Sequence, residues 1–234
     1  MSRPGLLLAL DTATRTPVLG LAQRDGQPIV QRRWQSRHRH GEQLLTELDA
    51  LLATADATPA DLGAIAVGLG PGSFTGLRIG LATAKVLAHA LRLPLVGLST
   101  TRALALAAGS EGEIAVTLPA GVADRYVHRL RVSPSSVEEL APPVLVATPE
   151  ATAEAVGQAR VLAVDLESDD VTADARALGL RAVCELAAAL AGQAAAELAA
   201  GRRDDVATLV PAYVALPRGI AHSTEEMRWS PDLR

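Results

Sequence analysis

The chain of 234 residues predicts an α/β fold, as one large domain or as two lobes of about 100 residues each. Three observations lead there. Residues 64–68 form a short apolar run ending in a glycine, and from Gly76 to Leu91 apolar residues recur at helical spacing without a proline, which reads as strand, glycine-rich loop, helix. Three short apolar runs at the N-terminus form a meander. Gly109-Ser110-Glu111-Gly112 is then the first breaker cluster long enough to mark a lobe boundary, and strand and helix signals resume after it.

In order, Leu6 to Leu10 reads as a buried strand, with Val18 to Gln23 and Ile29 to Arg33 as the next two, turned by Asp25-Gly26. An amphipathic helix begins at Gly41 and ends near Ala55, with Leu44, Leu45, Leu48, Leu51 and Leu52 on one face. Thr58-Pro59-Ala60-Asp61 turns into the central strand. Along the central helix Gly76, Gly80, Ala84 and Ala88 recur every fourth position as one ridge of small residues. Interior glycines each cost a helix about 1 kcal/mol, so close approach to a neighbouring backbone is the expected compensation. Pro94 precedes a strand, Leu95 to Leu98, and Ser99 or Thr100 caps a helix through Ala108.

The second lobe opens with strands Ile114 to Leu118 and Arg125 to Val132, followed by a proline-rich stretch, Ser133 to Pro143, and a short strand, Val144 to Ala147. Thr148-Pro149-Glu150 starts a helix in the order cap, first-turn proline, acid. Val161 to Val164 is a strand, Ala173 to Ala177 a short helical turn, and Cys184 to Ala200 a helix ended by Gly201. The organisation expected is a first lobe over 1–108, a second over 109–212, and a tail, 213–234, returning to or held loosely on the first lobe.

The net charge of −4 argues against autonomous nucleic-acid binding. The charge is uneven, with 11 Lys/Arg against 7 Asp/Glu in residues 1–110 and 11 against 19 in residues 111–234. A basic front half is therefore compatible with an acidic partner or RNA. A lone Cys184 excludes an internal disulfide and any multi-cysteine metal site. Leu6 to Leu10 is too short for a secretion signal, and no window of membrane-spanning length is free of charge and proline, so a soluble, cytoplasmic protein is expected.

Several motifs bear on chemistry. Asp11-Thr12-Ala13-Thr14 puts a carboxylate and two hydroxyls at the end of the first strand, suited either to metal-bound phosphates or to bonding turn backbone. The glycine loop matches no phosphate-binding loop, since no Gly-Lys-Ser/Thr follows, and it fits the dinucleotide fingerprint poorly. Ser73 lacks the Gly-x-Ser-x-Gly elbow of a nucleophile. Arg78 and Lys85 share a helix face, free for solvent, ion pairs, phosphates or an acidic partner. Arg32, Arg33, Arg37 and Arg39, interleaved with Trp34, form either a solvated loop or a contact for RNA or an acidic partner.

Leu7-Leu8-Ala9-Leu10-Asp11-Thr12, His40 ahead of a leucine-rich helix, Gly70-Pro71-Gly72-Ser73-Phe74-Thr75-Gly76-Leu77-Arg78-Ile79-Gly80, and Leu93-Pro94-Leu95-Val96-Gly97-Leu98-Ser99 together resemble the bacterial TsaB (YeaZ) family. The resemblance covers residues 6–108. It implies an actin-like (ASKHA, RNase H-like) fold in which each lobe is a mixed sheet with helices. It also implies a non-catalytic subunit that works with TsaD to make threonylcarbamoyladenosine next to the tRNA anticodon, with the TsaE ATPase joining through the complex. The catalytic relative carries two metal-binding histidines one helical turn apart just after the segment matching Ser99; this chain reads Thr100-Thr101-Arg102-Ala103-Leu104-Ala105-Leu106. No catalytic residue, metal site or cofactor of its own is therefore expected, with any nucleotide held at the interface of the complex.

On this resemblance Leu44, Leu48 and Leu51, with Gly72, Phe74, Gly76, Arg78, Gly80, Ala84 and Ala88, are expected to face a TsaD partner or a second copy of the chain. A ridge packed instead on the protein's own sheet is the alternative. The rival for the whole chain is an actin-like ATPase or phosphotransferase using Asp11. In the second lobe the turn Pro119 to Tyr126 keeps only Tyr126 and Arg125 of the family's pattern, which weakens any nucleotide contact there.

Overall fold

The structure is a computed structural model that describes residues 5–35, 40–121, 123–134 and 136–214. The first sheet contains β1 (Leu6–Asp11), β2 (Val18–Ala22), β3 (Pro28–Arg33), β4 (Leu62–Gly68) and β5 (Leu95–Leu98), in the order β3-β2-β1-β4-β5. The β1-β2-β3 meander is antiparallel, with Leu8 opposite Leu21, whereas β4 and β5 join in parallel, with Leu8 opposite Ile65. β1 is a continuous apolar run because both its faces are covered. Its period of two sends Leu8 and Leu10 to one side and Leu7 and Ala9 to the other, so the sheet divides two cores.

Helices α1 (His40–Thr54) and α2 (Phe74–Leu91) close the Leu8 side, where Leu44, Leu48, Leu51, Leu81 and Ala84 pack with Leu10, Leu21 and Ile65. The Leu7 side is closed by α3 (Thr100–Ala107), whose cap Ser99 accepts a hydrogen bond from the backbone of Arg102.

The second sheet contains β6 (Gly112–Ala120), β7 (Asp124–Ser133), β8 (Ser136–Glu139), β9 (Val144–Val146) and β10 (Arg160–Ala163), in the order β10-β6-β7-β8, with β9 also on β7. Strand β8 lies inside the stretch expected to be proline-rich coil. Only Val137 of its four residues is buried, so no alternating apolar signal marks it. Helix α4 (Pro149–Val156) is capped as expected, with the Thr148 hydroxyl accepting from the Ala151 amide at 3.1 Å.

The largest difference from expectation is α5 (Ala173–Ala199), one helix of 27 residues where the sequence reads as a short turn and a separate helix. Gly179 lies between the two expected pieces, and a Cβ there would run into the Ala163 carbonyl, so its absence lets the helix lie close to β10. The helix is apolar and long enough to cross a bilayer by composition alone. Here Leu178, Ala182, Leu186 and Leu190 are buried in a core shared with Leu7 and Val96 of the first sheet and Ile114 and Leu162 of the second.

Beyond α5 the chain returns to the first sheet at Arg202, earlier than the expected 213. The Asp204 amide donates to Leu95 O (2.8 Å), Gly97 N donates to Asp204 Oδ2 (2.7 Å), and Arg202 donates to Gly97 O (2.8 Å). This strap covers the outer edge of β5 and continues to Ala212, whose amide donates to Leu69 O at 2.9 Å. The rest of the tail, 215–234, lies outside the described residues.

Candidate functional site

The glycine loop, the end of β1 and the start of α3 meet at Asp11. Its Oδ1 accepts from the Ala13 amide at 2.7 Å and its Oδ2 from the Thr100 hydroxyl at 2.6 Å. The Thr100 oxygen in turn accepts from the Gly70 amide at 3.0 Å. The Thr12 hydroxyl donates to Gly76 O (2.7 Å), and the Ser73 amide donates to Ala13 O (2.8 Å). Gly68 has to be glycine because Asp11 Oδ2 occupies the place of a Cβ. Asp11 is 1% exposed, and burial pushes its carboxyl up to about 6, against the two hydrogen bonds that favour the anion. Of the two roles open to this carboxylate, the geometry is that of the backbone-bonding turn, with both oxygens engaged inside the protein.

The small ridge of α2 turns inward. Gly76, Gly80, Ala84 and Ala88 are all buried, and a Cβ on Gly76 or Gly80 would strike Thr12. Leu44, Leu48 and Leu51 likewise lie in the core, 1%, 5% and 0% exposed. The expected outward position of these seven residues is therefore corrected: they hold α1 and α2 on the protein's own sheet. Periodicity marks a stripe but does not say which side of a sheet receives it. Leu45, expected on the same face as Leu44, Leu48, Leu51 and Leu52, is instead 54% exposed on the outside of α1, and Val86 of α2, which the sequence reading does not single out, is 66% exposed.

Gly72 and Phe74 are partly exposed and Arg78 is exposed at the N-terminal end of α2. The Arg78 guanidinium lies 4.0 Å from the centre of the Phe74 ring, and Nε donates to Tyr213 Oη at 3.2 Å. Tyr213 also packs on Phe74, ring centres 5.2 Å apart. Lys85 Nζ donates to Ala207 O at 3.2 Å, so both cations noted on this helix are used by the strap.

In the basic segment Arg32 pairs with Glu47 at 2.7 Å, and Arg33 is exposed. Arg37 and Arg39 lie outside the described residues.

At the start of α3, within the stretch that lacks the relative's histidines, Thr100 serves Asp11 and Thr101 Oγ1 lies 2.6 Å from His128 Nδ1. His128 Nε2 is 3.0 Å from Glu139, and burial holds the imidazole below the usual histidine range. Among the described residues no three His, Cys, Asp or Glu side chains are gathered for a metal. At the divergent second-lobe turn, Arg125 forks onto Asp170 (2.6 and 2.7 Å) and also donates to Ser168 (2.8 Å). The guanidinium holds the Asp170 carboxyl far below the usual range.

Comparison with known proteins agrees with this framework. The sequence signature of TsaD, tRNA N6-adenosine threonylcarbamoyltransferase, matches residues 34–200. An uncharacterized protein of Mycobacterium tuberculosis is 41% identical over 99 residues, 42% of this chain and 47% of that protein. The tRNA threonylcarbamoyladenosine biosynthesis protein TsaB of Escherichia coli is 38% identical over 100 residues, 42% of each chain. The match thus spans about half the length of these curated relatives. Among solved structures, YeaZ from Pseudomonas aeruginosa superposes with a TM-score of 0.69 at 24% identity, covering 89% of this chain and 99% of that one. The two mixed sheets with their helices are thus the actin-like α/β fold in two lobes. The chain belongs to the family described as TsaD, tRNA N6-adenosine threonylcarbamoyltransferase, and within it is similar to the TsaB and YeaZ proteins.

Proposed function

We propose that this protein is a non-catalytic scaffold subunit that docks on a TsaD enzyme in the cytoplasm and is required with it for threonylcarbamoyl transfer to the adenosine next to the tRNA anticodon. The observation that carries the reading is the outer face of α1 and α2. Their inner faces are filled by the protein's own sheet, yet Leu45 and Val86 remain 54% and 66% exposed on these two neighbouring helices. An apolar outer face on a helix pair suits a partner helix pair, packed as in a four-helix bundle. Gly72, Phe74 and Arg78 at the N-terminal end of α2 are taken as further contacts, and the TsaE ATPase and tRNA join through the complex. Family membership supports the partner's identity, and the lack of any histidine in residues 100–106, where the catalytic relative carries two, supports the absence of transfer activity in this chain alone.

Leu45→Asp with Val86→Asp tests the reading. A carboxylate trapped in a desolvated helix contact is expected to weaken association with TsaD by at least about tenfold. Because both side chains are exposed, the isolated subunit should unfold within about 0.5 kcal/mol of the wild type. Affinity by calorimetry and tRNA modification by the reconstituted complex are the readouts. Unchanged affinity and modification would remove this face from the function.

For the basic segment, Arg33→Gln with Arg37→Gln is expected to weaken tRNA binding by the assembled complex and lower its salt slope by about one to two. TsaD binding should survive. A salt slope equal to wild type would return the segment to solvent.

A further inference from the structure

Two arginines of the second lobe converge on one hydroxyl in the linker between the lobes. Arg160, at the start of β10, donates to Ser110 Oγ at 3.2 Å, and Arg181, on α5, donates to the same oxygen at 3.4 Å. Among the described residues neither guanidinium meets a carboxylate; Glu113, the nearest paired acid along the chain, is held by Arg129 and Arg131. Two cations thus share a neutral acceptor, with Glu111 next to it along the chain and Glu185 one helical turn from Arg181. The linker itself is open. Gly109 and Gly112 flank the site at φ +61° and +101°, and a side chain at either would meet no atom within 4 Å.

We propose that Ser110 is a phosphorylation site whose phosphate is received by Arg160 and Arg181. The donor would be a protein kinase with a nucleoside triphosphate. Ser110 Oγ attacks the γ-phosphorus, the bond from that phosphorus to the β,γ-bridging oxygen breaks, the nucleoside diphosphate leaves, and the hydroxyl proton passes to a base of the kinase. The product carries nearly two negative charges and three acceptor oxygens between two planar guanidinium forks. It ties the linker to β10 and to α5, the helix packed on both sheets, and so stiffens the junction of the lobes.

The test is the full chain bearing phosphoserine at position 110 by site-directed incorporation, compared with the unmodified chain at pH 7.5, each with and without Arg160→Gln and Arg181→Gln. Phosphorylation is expected to raise Tm by about 2–4 °C with the arginines present, the shift that roughly 1 kcal/mol produces in a chain of this size, and by nothing without them. No rise, or an equal rise in both backgrounds, overturns the proposal. Inorganic phosphate at about 10 mM provides the other arm. An arginine-dependent rise of the unmodified chain to the same Tm would assign the site to free phosphate and overturn the covalent assignment.

Discussion

Gly80→Leu is expected to destabilise the isolated protein by about 3 kcal/mol and lower Tm by about 6–12 °C, although leucine improves helix propensity by about 1 kcal/mol. The reason is local. A Cβ at position 80 already runs into the Thr12 hydroxyl, and Leu10 lies beside it, so the added side chain has to push α2 off β1. The Thr12 to Gly76 hydrogen bond, at 2.7 Å, sits on the same contact and would be strained with it. Affinity for TsaD, measured on the folded fraction, should change little, because the substituted face is internal. An unchanged Tm with lost association would mean that the ridge faces the partner after all. Differential scanning calorimetry beside a binding titration separates the two results.

The second large effect concerns pH. Asp11 has a folded-state pKa of about 6 against a reference of 3.8, raised by burial. The group's stabilising contribution is fully present while both states are protonated, below about pH 3.8, and is lost as pH rises through about 6. Ionisation of the buried carboxyl therefore costs the native state about 3 kcal/mol by neutral pH. Asp11→Asn titrates in neither state and keeps an acceptor for the Ala13 amide. Relative to this variant, wild-type stability is expected to fall by about 2.5 kcal/mol between pH 4 and 7, read from urea unfolding at several pH values. The variant loses the acceptor of the Thr100 hydroxyl, which offsets some of its advantage at neutral pH by about 1–2 kcal/mol. Parallel stability curves would show that Asp11 is already solvated or ion-paired, and would restore the phosphate-binding role to consideration.

Much of this fold is legible in the sequence where one local signal has one physical cause. The caps at Ser99 and Thr148, the glycine loop after β4 and the meander are of that kind. Three things stay hidden because their causes are not local. The small ridge announces close packing but not its target, which is Thr12, 64 residues away along the chain from Gly76. Helix α5 is covered on several sides by two sheets, so alanine and leucine recur around it without a clear polar stripe, and Gly179 shows its role only once Ala163 is placed against it. The strap is polar and irregular, and only its contacts with the edge of β5 make it belong to the first lobe. The candidate partner face is misread from sequence for the same reason. Leucines 44, 48 and 51 dominate the pattern because they are core; Leu45, grouped with them by the sequence, and Val86 lie on the outer surface.

The closure of β5 by residues 202–204 bears on how the protein is made. The strand is synthesised about a hundred residues before the segment that satisfies the Leu95 carbonyl and both polar groups of Gly97. Over that interval the first sheet has an open edge, and its Leu7 face waits for α5 as well. The first sheet therefore gains its last edge partner and the cover of its Leu7 face only from the C-terminal half. A chain truncated before Arg202 is expected to leave that strand edge unpaired and to self-associate more readily than the full chain.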